Sequence, residues 1–127
     1  MNHSPATGLL LFAHGARDPL WARPFQAVLA EVQRQHAGVP VRLAFLEFMT
    51  PGLVDAALAL ADEGAQRIQV VPLFLGAGGH VRKDLPDLLA QAQAARPGLS
   101  FELQAAIGES PAVVQAMASA AVAGLRR

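Results

Sequence analysis

The chain predicts an α/β fold: one domain built on a four-stranded parallel sheet, order 2-1-3-4, with helices on both faces. Three observations carry this. Four apolar runs of strand length alternate with segments of helical period. The runs are nearly continuous in apolar residues, as expected of strands covered on both faces. And 127 residues, 53% apolar and 16% charged, suffice for one core but not two. Right-handed crossovers then set strands 1 and 3 side by side, with the chain leaving them in opposite directions. A crevice opens beyond their carboxyl ends, where open α/β sheets bind ligands.

The first strand is GLLLFAH from Gly8, after a polar tail, residues 1–7, that is expected to fray; residues 8–127 form the domain. A helix follows with Trp21, Phe25, Val28, Leu29 and Val32 on one face. VRLAFLEF from Val41 is the second strand, and Val54, Ala57, Leu58 and Ala61 mark the second helix. RIQVVPLFL from Arg67 is the third strand, in which Pro72 signals a bulge or an early end. The third helix carries Val81, Leu85, Leu88, Leu89 and Ala92 on its inner face. LSFELQAA from Leu99 and a last helix with Val114, Met117, Ala121 and Leu125 complete the pattern. Asp18-Pro19, Thr50-Pro51 and Ser110-Pro111 read as helix starts, an acceptor at the cap and a proline at the first helical position. Gly38, Gly64 and Pro97-Gly98 read as stops.

Ten basic residues balance ten acidic ones, which argues against nucleic acid or an anionic membrane as partner. With no cysteine, disulfides, thiolate metal sites and a thiol nucleophile are excluded. The polar start does not read as a signal peptide, and no apolar run reaches the roughly 18 to 20 residues of a membrane span. A cytoplasmic, soluble protein is expected.

His14 closes the first strand, Glu47 nearly closes the second, and His80 sits in the loop after the third, so all three arrive at one sheet edge. Neutral imidazole is a ligand for cobalt, nickel, iron and zinc and also takes up a proton near neutral pH. Glu47 is a proton acceptor or a further metal ligand there, or else a carboxylate near the start of the next helix. Gly76, Gly78 and Gly79 free the loop before His80 of side chains, as a bulky ligand or a positive φ requires. Their spacing, without a Lys-Ser or Lys-Thr pair, is not that of a phosphate loop, so no nucleotide is expected. Arg17, Arg82 and Lys83 border the crevice and either hold carboxylates of a ligand or are ordinary surface charges. His3, in the tail, and His36, at the polar end of the first helix, have no expected role.

At these residues the chain resembles the small class II chelatases, specifically the short CbiX-type sirohydrochlorin cobaltochelatases. HGARDP from His14, FLE from Phe45 followed by TP at Thr50, and GGHVRKDLP from Gly78 carry the resemblance, in this order and over essentially the whole chain from Gly8. It implies a metal-inserting lyase of cobalamin biosynthesis that places a divalent metal, Co2+ foremost, into a reduced, carboxylate-rich tetrapyrrole; related enzymes use iron or nickel. It also implies a homodimer, because longer relatives hold two such domains in one chain, and it puts the metal-binding histidines on His14 and His80. The family commonly has serine where this chain has Ala16, so no hydroxyl helps orient that loop. Alternatives are an Fe2+ or Ni2+ chelatase and a non-catalytic metal or tetrapyrrole carrier. A histidine phosphatase would need arginine directly before His14, where Ala13 stands.

Overall fold

A computed structural model describes residues 6–76 and 78–125, and of His80 the backbone only. His3 and most of the expected frayed tail lie outside the described residues. Strand β1 (Thr7–Ala13) leads through a short 3-10 turn, Pro19–Ala22, into α1 (Arg23–Gln35). There follow β2 (Val41–Phe45), α2 (Leu53–Asp62), β3 (Arg67–Pro72), α3 (Gly79–Ala95) and β4 (Ser100–Leu103); a second 3-10 turn, Ile107–Glu109, then precedes α4 (Pro111–Val122). The four strands form one parallel sheet in the order β2-β1-β3-β4, as predicted.

Period-two alternation divides the core between the sheet faces. Leu10, Phe12, Ala44, Ile68 and Val70 lie under α2 and α3, against Leu53, Ala57, Leu60, Val81, Leu85 and Ala92. Leu11, Ala13, Val41, Leu43 and Phe45 lie on the other face, under Phe25, Leu29 and Val32 of α1. Complete burial of a side chain such as Phe12 or Ile68 contributes about 1.5–3 kcal/mol. No helix among the described residues is long and apolar enough to cross a membrane.

Several boundaries differ from the sequence expectation, each for a physical reason. Strand β2 stops at Phe45, because its chain turns back and the Phe45 N–H donates to the Pro51 carbonyl. Strand β3 stops at Pro72. Residues 66 and 70 turn their carbonyls toward β4, accepting from Ser100 and Gln104, so the missing N–H of Pro72 falls on that side, beyond the last β4 pair, Val70 with Leu103. Asp18 caps its turn, accepting from Leu20 N–H at 2.9 Å. Thr50-Pro51 does not start a helix: the bond is cis, and α2 begins at Leu53 after Gly52. Pro111 opens α4, yet Ser110 makes no side-chain cap bond. The buried stripe of α2 is Leu53, Ala56, Ala57 and Leu60, rotated from the expected one, and Val28 of α1 faces solvent.

The largest departure is α4. Its predicted inner face, Val114, Met117 and Leu125, is 54%, 49% and 79% exposed, and the helix packs chiefly on the turn that precedes it. Helical periodicity is present, but nothing among the described residues covers it.

Candidate metal centre

Strands β1 and β2 pair to their ends, Ala13 opposite Phe45, and the pairing continues past them. Leu46 N–H donates to the Ala13 carbonyl at 2.9 Å and Glu47 N–H to the His14 carbonyl at 3.1 Å. The two loops leave the sheet in contact, and their first functional side chains meet. His14 Nδ1 stands 3.6 Å from Glu47 Oε2, with both side chains 43% exposed. At this exposure the contact contributes at most about 1 kcal/mol to stability; its geometry matters more. A carboxylate on Nδ1 favours the tautomer that leaves the Nε2 lone pair for a metal ion. Phe74 fixes the ring plane, edge-on to His14 at 6.4 Å and itself packed on Phe12.

Gly15 makes the contact between the loops possible. It has φ +92, and a Cβ there would stand 1.9 Å from the Glu47 carbonyl oxygen. Gly76, Gly78 and Gly79 differ: none has a positive φ, and an added Cβ would meet nothing within 4 Å. The sequence-based expectation of special backbone conformation there is corrected to one of open space.

His80 is the second residue of α3 rather than a loop residue, because the helix starts two residues before its first inward apolar position, Val81. Its side chain lies outside the described residues. Arg82 and Lys83 follow in the opening turns of α3 and are exposed. Arg82 borders an apolar recess of about 330 Å3 with Pro72, Phe74, Leu85 and Leu103 at the ends of β3 and β4. Arg17 lies on the first loop with its guanidinium carbon 4.9 Å from the centre of the Phe48 ring. The structure therefore brings together His14 and Glu47 and sets Arg17 on Phe48, the residue after Glu47, while Arg82 lines the recess at the ends of β3 and β4.

Among the described residues no three His, Asp or Glu side chains gather as a metal site. His14 and Glu47 alone make an open, two-donor arrangement, suited to an ion that passes through. A recess of about 500 Å3 runs along the outer edge of β2 and includes neither His14 nor Glu47. It is an edge groove bordered by the Arg42–Glu63 ion pair, and convergence of polar groups, not volume, marks the site. Ala13 is fully buried, so no cation precedes His14 to grip a phosphate. Sequence reasoning missed Phe74, Phe48 and the close approach at Gly15; only HGA, a glycine directly behind a strand-end histidine, hinted at the last.

Comparisons with known proteins point one way. The CbiX family model matches residues 8–122. A sirohydrochlorin cobaltochelatase from Methanothermobacter thermautotrophicus is 35% identical over 88 residues, 69% of this chain and 61% of that relative. The chain spans only 61% to 64% of the length of the first curated relatives it matches. Among solved structures, a cobalamin biosynthesis CbiX protein from Marinobacter aquaeolei VT8 superimposes with a TM-score of 0.78 at 30% identity, covering 91% of this chain and 93% of that one. The sirohydrochlorin chelatase SirB from Bacillus subtilis subspecies spizizenii, in complex with cobalt, gives a TM-score of 0.74 at 28% identity, covering 89% of this chain and 48% of that one. With a family match over nearly its whole length, residues 8–122, the chain belongs to the CbiX family.

Proposed function

We propose that the chain is a cytoplasmic sirohydrochlorin cobaltochelatase, residues 8–127 acting as one domain, which inserts Co2+ into sirohydrochlorin without a nucleotide. One observation carries the reading: the half-exposed His14–Glu47 pair, 3.6 Å apart at the carboxyl ends of β1 and β2. The names of the relatives support the substrate and the metal.

In this reading His14 and His80 hold a partly dehydrated Co2+, the metal being a substrate. The macrocycle then replaces their bonds with pyrrole nitrogens. Two ring protons leave, and His14 and Glu47 are the nearby acceptors. Arg17, Arg82 and Lys83 meet the acid groups, while the open space around Gly76, Gly78 and Gly79 admits the ring. Weak, incomplete ligation serves turnover, since a site that held the ion tightly would stabilise the ground state.

The reading includes a homodimer. The apolar stripe of α4 has no cover among the described residues, and the matched SirB chain is about twice as long as the stretch it shares with this one. A second copy of this chain is the occupant that supplies the missing half.

An anaerobic assay of sirohydrochlorin with Co2+, Ni2+ and Fe2+ in turn, followed in the visible spectrum, tests the function. Co2+ is expected to insert fastest, over many turnovers. A preference for Fe2+ or Ni2+ would reassign the metal. Stoichiometric binding without acceleration would make the protein a carrier and overturn the enzyme.

A further inference from the structure

Phe48 departs from ordinary structure in two ways. Its backbone is left-handed, φ 67, and it is the one non-glycine residue so among the described residues. That conformation is unfavourable for an L side chain and free for glycine. Its ring is also 57% exposed, so burial does not compensate. The loop holds it there from both sides. Leu46 and Glu47 N–H groups bond to the carbonyls of Ala13 and His14, and Phe45 N–H bonds to that of Pro51. Strain kept at an exposed aromatic, next to a candidate site, points to use of the ring.

The neighbours of Phe48 indicate that use. It directly follows Glu47, whose carboxylate faces His14. The Arg17 guanidinium rests over the Phe48 ring at 4.9 Å. A flat apolar surface and a bidentate donor thus sit together at the edge of the His14–Glu47 pair.

We propose that Phe48 and Arg17 form the docking platform for the macrocycle, which deepens the chelatase reading and rests on it. The plane of the tetrapyrrole stacks on Phe48, and Arg17 moves from the ring to a peripheral carboxylate. An exposed cation–π contact is weak, and a guanidinium gains by exchanging it for a bidentate carboxylate. The exchange sets the macrocycle beside His14 and Glu47 before any metal bond forms. Glycine at position 48 would relieve the backbone strain and remove the platform together.

Titration of metal-free sirohydrochlorin into the full chain, read in the absorbance of the macrocycle, tests this with Phe48→Gly, Phe48→Leu, Phe48→Tyr and Arg17→Ala. Thermal midpoints are recorded alongside. Phe48→Gly is expected to weaken binding and raise KM about tenfold, with kcat changed much less and the thermal midpoint unchanged or higher. Phe48→Leu, of similar bulk without a ring, is expected to bind as weakly as Phe48→Gly, and Phe48→Tyr as tightly as the parent. Arg17→Ala is expected to weaken binding of the acidic macrocycle. Parent-like binding by Phe48→Gly or Phe48→Leu would overturn the platform while leaving the chelatase reading intact. A parent protein that neither binds nor metallates sirohydrochlorin would overturn both.

Discussion

Helices α2 and α4 are both rich in alanine and valine or leucine, yet they end in opposite environments. In α2, Leu53, Ala56, Ala57 and Leu60 are buried against Ile68 and Phe12 of the sheet. In α4 no residue is buried, and Val114, Met117 and Leu125 face solvent. The difference is one of place in the sheet order. Helix α2 returns over the centre of the sheet, whereas α4 follows the edge strand β4 and has little sheet beneath it. Apolar periodicity states which face is to be covered, not which chain covers it.

The largest expected effect lies under α2. Phe12→Ala leaves a hole in the centre of the sheet and should cost about 3–5 kcal/mol, read as a lower midpoint in urea or heat. Next is the contact between the first two loops. Gly15→Ala places a methyl group on the Glu47 carbonyl at positive φ and should cost about 1–3 kcal/mol. It should also slow metal insertion by parting His14 from Glu47; an unchanged stability and rate would deny that the two loops are locked. On α4, Met117→Asp should alter the stability of the isolated chain by less than about 0.5 kcal/mol. Its sedimenting mass should fall from dimer to monomer at micromolar concentration. Loss of folding instead would mean that α4 is part of the core of its own chain.

The smallest effect concerns the outer face of α1. The Arg34 guanidinium, with Gln35 behind it, bonds the Glu31 carboxyl and holds its pKa below the usual 4.5. A folded-state pKa that is depressed stabilises above the ordinary value, and that contribution is lost as pH falls through the lowered one. The group is fully exposed, so Glu31→Gln should leave the thermal midpoint at pH 7 unchanged within error and should abolish only this small acid-side dependence.

Much of the fold was legible in the sequence, because strand and helix periods are local consequences of backbone geometry. The strand order followed from alternation and handedness, and the meeting of His14 with Glu47 was legible because both stand at strand ends on one sheet edge. Relations set by distant residues were not legible. The start of α3 ahead of His80 carries no local mark, since Gly78 enters the helix in ordinary extended geometry, φ −72 and ψ 163, with no side-chain cap. Thr50-Pro51 carries a helix-start signal but closes the β2 loop, where Phe45 needs the Pro51 carbonyl. The left-handed Phe48 and the obligatory Gly15 both result from two loops pressed together, a tertiary fact with no local pattern.

In the proposed function His14 and His80 hand a metal to a tetrapyrrole. Its most direct test is anaerobic, multiple-turnover Co2+ insertion into sirohydrochlorin by the parent chain and by His14→Ala and His80→Ala, each first shown to be folded. Rapid insertion is expected of the parent, and a rate near that of the uncatalysed reaction in both variants. Undiminished turnover in the two variants would contradict it.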